Sequence, residues 1–391
     1  MNNETDEMSA ELSLPLQPRR AALQSATSPT PATVQSQQGE LALPEPFVLE
    51  SGAALRNAKL AWQCVGPADA PLIVVLGGIS AHRRLCAENT DQGARRGWWE
   101  SQCGAGKALD TNRYRLLGID WLGGCDASTG PRHGRHEINP SRAARKSLPL
   151  SREAGEGTGW GGTPHDDFPA ISTSDQARAL LLLLNRLGVR RVHLLVGASY
   201  GGNVAQQLAA LLGDRLRRLV LLSAAHRPAQ FGIALRHVQR AILDLGGDTG
   251  STQALALARS LAVLGYRTAE GVEQRFNTDS TQQDDPADSV TGWIDHHGKK
   301  FVQRFDADAY RCLGRSLDTH EIDPASVRVP TTLFAVREDL TVSLSLLHEY
   351  AQRAGERCEL VEISSNYGHD AFLKEEAVVG ALFARALETT P

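Results

Sequence analysis

Val192-His193-Leu194-Leu195-Val196-Gly197-Ala198-Ser199-Tyr200-Gly201-Gly202-Asn203-Val204-Ala205 is the stretch from which this chain is best read. Val192 to Val196 is a short aliphatic run with the pattern of a buried strand, and Asn203 to Leu212 follows it as a helix. Between them lies a G-x-S-x-G sequence, Gly197 to Gly201. A strand that turns at once into a helix needs small residues two before and two after its apex. The glycines relieve clashes there and let the serine take a strained backbone conformation. Ser199 is then exposed at the C-terminal edge of a sheet and at a helix N-terminus, where developing negative charge is favoured.

Outward from this turn, strand and helix signals alternate. Ala58–Cys64, Leu72–Leu76, Tyr114–Ile119, Leu219–Leu222, Thr332–Val336 and Glu359–Ile363 read as strands. Thr173–Leu187 and Glu375–Leu387 read as helices, the first with N-cap candidates in Ser172, Thr173 and Ser174 and a stop at Gly188. Such alternation predicts an α/β fold with a mostly parallel, doubly wound sheet covered on both faces. It stops between residues 227 and 325, where Phe231–Leu245, Thr252–Gly265 and Val290–Leu317 are helical and no strand is convincing. The expected organisation is a core of residues 41–226 and 326–391, interrupted by a helical cap at 227–325. Residues 1–40 are rich in Ser, Thr, Pro, Gln and Ala, and are expected to be a disordered tail. Residues 126–168 read as a long Gly- and Arg-rich surface loop carrying Arg132, Arg135, Arg142, Arg145, Lys146 and Arg152.

Composition excludes several classes. With 391 residues, 41% of them apolar, the chain can bury a large core. A formal charge of −4 gives no drive towards nucleic acid or an anionic membrane. The first 20 residues lack the apolar segment of a secretory signal, and the longest aliphatic run, Leu180–Leu184, is far too short to span a bilayer. Six cysteines at 64, 86, 103, 125, 312 and 358 form no C-x-x-C pair and suit a reduced, cytoplasmic setting. No metal site is expected.

A serine hydroxyl needs a base. In folds with this turn, an acid and a histidine follow in the order Ser, Asp or Glu, His, each after a later strand. Thr332–Val336 runs into Arg337-Glu338-Asp339, and Glu359–Ile363 runs towards His369. Ser199, Asp339 and His369 are therefore the expected triad, with Glu338 competing for the acid position. The backbone N–H groups of Tyr200 and of Ile79, in the loop after Leu72–Leu76, are the expected oxyanion donors.

Four further segments carry a resemblance. They are Gly123-Gly124-Cys125 with Ser128-Thr129-Gly130-Pro131, Phe168-Pro169-Ala170-Ile171-Ser172 with Asp175, Gly298-Lys299-Lys300-Phe301-Val302-Gln303-Arg304-Phe305-Asp306-Ala307, and Tyr367-Gly368-His369-Asp370-Ala371-Phe372-Leu373. Together they resemble the homoserine O-acyltransferase family of the α/β-hydrolase fold, over residues 45 to 390. The resemblance implies ping-pong transfer of an acyl group from acyl-CoA, through acyl-Ser199, to L-homoserine, in methionine biosynthesis. It implies acyl-CoA as co-substrate with no permanently bound cofactor, small-molecule partners and a homodimer. Arg267 resembles the family's acceptor-carboxylate arginine, and Asp370 its acceptor-binding aspartate. Departures occur at Asn203-Val204 after the turn, at Gly77-Gly78-Ile79-Ser80-Ala81, and at Leu340-Thr341-Val342-Ser343 after the acid. Some succinyl-CoA users resemble a version with arginine two residues after the acid; Thr341 here favours acetyl-CoA. Succinyl transfer to homoserine or serine, a plain esterase, and a catalytically inactive binding protein are the rival readings.

Overall fold

The computed structural model describes residues 35–90, 93–132, 168–247, 250–277 and 289–388. Its centre is an eight-stranded sheet: β1 (Ser36–Ala42), β2 (Lys59–Val65), β3 (Leu72–Leu76), β4 (Arg115–Ile119), β5 (Leu194–Ala198), β6 (Leu219–Leu222), β7 (Thr331–Val336) and β8 (Cys358–Ile363). Across the sheet the order is β1-β2-β4-β3-β5-β6-β7-β8. The β1–β2 and β2–β4 pairings are antiparallel and all others parallel. This is the mostly parallel α/β-hydrolase sheet. Its central strands β3, β5, β6 and β7 are buried at every position, as strands covered on both faces must be.

Around the sheet lie α1 (Thr173–Arg186), α2 (Tyr200–Leu212), α3 (Gln230–Gly246), α4 (Ser251–Tyr266), α5 (Ala269–Phe276), α6 (Val290–Val302), α7 (Ala307–Asp318), α8 (Leu344–Ala354), α9 (Ala371–Lys374) and α10 (Glu376–Glu388). The start of α1 is set by a capping box. Ser172 Oγ accepts from the Asp175 backbone N–H at 3.1 Å, and the Asp175 carboxylate accepts from the Ser172 N–H at 3.0 Å. Helices α3 to α7 all lie between β6 and β7. Leu243, Ala258, Phe301 and Leu313 from this insertion share a continuous apolar core with Leu76, Leu195 and Leu221 of the sheet. Among the described residues, no helix is long and apolar enough to cross a membrane.

Two expectations need revising. A tail is expected through residue 40, but Ser36–Ala42 forms β1, paired with β2 from Ser36↔Val65 to Ala42↔Lys59. Its sequence, SQQGELA, has little strand propensity; it is an edge strand made by pairing. Residues 1–34, and the basic loop from 133 to 167, lie outside the described residues. The single helix expected over Val290–Leu317 is two, because Asp306 caps a new start by accepting from the Ala309 N–H at 2.7 Å. Helices α5 and α8 were not anticipated.

Candidate active site

The G-x-S-x-G turn joins β5 to α2 directly. Ser199 sits at its apex with φ 52° and ψ −123°, one of three non-glycine residues with positive φ among those described. The strain is held by close packing on all sides. A Cβ on Gly201 would lie 2.3 Å from the backbone C and O of Leu76, and one on Gly197 would lie 2.6 Å from Gly202 Cα. Only glycine fits at either place.

Loops after β7 and β8 bring the partners. His369 Nε2 is 2.9 Å from Ser199 Oγ, and His369 Nδ1 is 2.6 Å from Asp339 Oδ2. The other Asp339 oxygen accepts from the Thr341 N–H, the Val342 N–H and the Thr341 hydroxyl at 2.8–2.9 Å. Both His369 and Asp339 are buried, at 5% and 6% exposure, so the relay is shielded from water. Glu338 points away: it accepts from the Ser364 hydroxyl and, at 2.9 Å, from the Ser365 N–H. Of the two candidate acids, Asp339 is the one bonded to the imidazole. Burial by itself pulls the His369 imidazole towards neutrality. The Asp339 charge and hydrogen bond, with Asp370 beside them, outweigh it and raise the pKa above its ordinary value.

The Gly201 N–H donates to Gly77 O at 2.8 Å, while the Gly202 and Asn203 N–H groups turn to Ser199 O. The N–H groups of Tyr200 and Ile79 donate to no described residue and stand at the ends of β5 and β3, which pair side by side. Tyr200 is fixed by its hydroxyl, which bonds Ser316 Oγ at 2.9 Å and accepts from Gln176 Nε2 at 3.1 Å.

Two cavities meet at Ser199 and His369. One, of about 240 Å³, is lined by Arg259, Arg304, Tyr266 and Asp370. The other, of about 60 Å³, is lined by Arg227, Arg236, Arg240, Tyr310 and Thr341. Ile79 and Tyr266 border both.

The sequence comparisons agree with this architecture. Residues 71–376 match the family model described as alpha/beta hydrolase fold. The chain is 35% identical to a homoserine O-succinyltransferase of Xanthomonas campestris pv. campestris, over 93% of this chain and 87% of that protein. The chain belongs to the homoserine O-acyltransferase family. A homoserine O-acetyltransferase of Symbiobacterium thermophilum is 32% identical, over 90% of this chain and 95% of that protein. In fold, the structure is similar to the homoserine O-acetyltransferase of Staphylococcus aureus, with a TM-score of 0.70 at 23% identity, covering 91% of this chain and 97% of that one.

Within this homoserine O-acyltransferase-family chain, the two acceptor residues implied by the resemblance, Arg267 and Asp370, are paired with each other. Asp370 lines the 240 Å³ cavity beside Ser199. Arg267 lines another cavity, with Arg275 and Trp293. Its Nη2 is 2.9 Å from Asp370 Oδ2, and its guanidinium lies over the Tyr367 ring. Two arginines line the 240 Å³ cavity, Arg304 and Arg259, the latter clamped over the rings of Tyr266 and Phe301 at 5.5 and 4.8 Å. Its signal was present in the sequence. It is the one charged residue in the otherwise neutral stretch Ser251–Tyr266, seven residues before Tyr266 and so on the same helix face. Arg236 and Arg240, four apart on α3, form a second shared face that the sequence reading also passed over.

Proposed function

We propose that this protein transfers an acyl group from acyl-CoA to the hydroxyl of L-homoserine through acyl-Ser199, a step of methionine biosynthesis in the cytoplasm. In the first half, Ser199 Oγ attacks the thioester carbonyl while His369 Nε2 takes its proton, and Asp339 stabilises the imidazolium. The tetrahedral oxyanion falls to the Tyr200 and Ile79 N–H groups, each such donor being worth about 3 kcal/mol in the transition state. Collapse breaks the C–S bond, and the CoA thiolate leaves with the proton from His369. In the second half, the homoserine hydroxyl gives its proton to His369 and attacks the acyl carbon. Collapse then breaks the ester to Ser199, which recovers the proton.

The observation that carries this reading is a cation and an anion facing one cavity beside the nucleophile. Arg259 suits a carboxylate and Asp370 an ammonium, the two charges of an amino-acid zwitterion. A plain esterase site has no use for that pair. The expectation of acetyl-CoA rested on Thr341; two of the cations near Ser199, Arg236 and Arg240, come from α3, a different element. The test crosses acyl-CoA donors with homoserine and serine while free CoA is followed. Release that depends on homoserine supports transfer; release at the same rate without any acceptor refutes it in favour of hydrolysis. A homodimer belongs to the same proposal. Phe231, Val238 and Leu245 on α3 and Leu257 and Leu264 on α4 are exposed apolar residues that a second copy would cover. A monomeric mass by light scattering at micromolar concentration would count against it.

A further inference from the structure

The 60 Å³ cavity is more than a methyl group needs. A single water requires only about 10–15 Å³ of such space, so an acetyl group on Ser199 would leave room behind it. Among the described residues lining that space there is no carboxylate, but there are three arginines. Arg227 is paired with Glu349 at 2.8 Å. Arg236 and Arg240 share one carboxylate, Asp318: Arg236 Nε is 2.6 Å from Oδ1, and Arg240 Nη1 is 2.7 Å from Oδ2 without directing a hydrogen at it. The side chains of Arg236, Arg240 and Asp318 are largely buried, at 14–19% exposure. The two terminal nitrogens of Arg236 donate to no described residue. They lie against Gly232, where a Cβ would sit 3.2 Å from Nη1 and 3.0 Å from Thr341 O. Asp339, on the catalytic side, already has its donors in Thr341, Val342 and His369. Two guanidiniums against one carboxylate leave a unit of positive charge facing a shielded cavity, and a charge so placed calls for an anion.

We propose that Arg236, backed by Arg240, forms an acyl-donor subsite for a terminal carboxylate, so that the preferred donor is a dicarboxylic thioester of succinyl-CoA type. The inference rests on the acyl-transfer reading and adds the class of acyl group. Gly232 is part of the site, because a side chain there would press on the Arg236 guanidinium. The acylation chemistry is unchanged; the donor's free carboxylate accepts from Arg236 while its thioester carbon reaches Ser199.

The test compares three thioesters on the full-length enzyme with saturating homoserine: succinyl-CoA, butyryl-CoA and acetyl-CoA. Butyryl matches succinyl in chain length but lacks the charge. The wild type is expected to show kcat/KM for succinyl-CoA roughly 10–100-fold above butyryl-CoA, the size of a charge-assisted hydrogen bond, and above acetyl-CoA. R236A should bring the succinyl-to-butyryl ratio close to one, and R236K should restore part of it. Equal use of succinyl- and butyryl-CoA by the wild type, or a preference for acetyl-CoA, overturns the subsite without needing any variant. Equal losses on all three donors in R236A overturn it as well, since a purely structural arginine would behave so. Failure of every donor to release CoA in a homoserine-dependent way would instead sink the acyl-transfer reading itself.

Discussion

Replacing Arg259 by alanine separates the two halves of the proposed reaction. The guanidinium is held over two aromatic rings and faces the cavity shared by Ser199, His369 and Asp370. It is therefore preorganised for a carboxylate and loses little entropy on binding one. Hydrogen bonds to charged partners contribute about 1.5–3 kcal/mol each, and a bidentate pair sits at the upper end or above. Taking about 3 kcal/mol, kcat/KM for homoserine should fall by roughly 150-fold, at 1.4 kcal/mol per factor of ten. The loss should fall mainly on KM. Acylation of Ser199, read as the burst of CoA before acceptor is added, should change far less, because the acceptor is absent from that step. R267A is the control. Arg267 is bonded to Asp370 at 2.9 Å and is not among the residues lining that cavity, so its removal is expected to raise the acceptor KM by a smaller factor. A larger acceptor effect in R267A than in R259A would refute the assignment. So would a burst in R259A that slows as much as turnover.

Four other perturbations test the remaining parts. D339N should lower kcat by ~10⁴, since the imidazole would then be held in the wrong tautomer, with the fold intact by circular dichroism; a loss under tenfold would contradict the relay. Because the pKa of His369 is raised and its neutral form is the base, kcat/KM should climb with pH through a value above about 6.5, and that limb should vanish from any residual activity of H369A. G201A puts a methyl 2.3 Å from the Leu76 backbone and should cost at least 1–3 kcal/mol of stability, seen as a lower Tm, along with activity. His320 is buried on Thr173 Oγ1 at 2.8 Å, and burial pushes its pKa down to about 3. The unfolded chain takes up this proton below about 6.5 and the folded chain does not. Stability should thus decline as pH falls across that interval, by at most ~1.36 kcal/mol per pH unit from this residue, and the slope should lessen in H320Q.

Much of this site is local in origin, and so could be read along the chain. The elbow at Ser199 is written in five consecutive residues, because the steric demand for glycine acts between neighbours in sequence and across one strand. The order Ser199, Asp339, His369 follows from a parallel sheet, whose loops all open at one edge. Strands such as Leu72–Leu76 and Leu219–Leu222 announce themselves because burial on both faces leaves only apolar residues. β1 does not, since its polar residues become a strand only by bonding to β2. Likewise, Asp339 and Glu338 are neighbours in the string of residues, and it is the loop after β7 that turns one towards His369 and the other towards Ser364. The proposed acceptor and donor sites depend most on tertiary packing. Arg259, Arg267, Arg236 and Arg240 are all arginines on or beside helices of one insertion. Which of them meets Ser199 depends on how α3 and α4 pack over the sheet, a matter of long-range geometry that spacing in sequence does not encode.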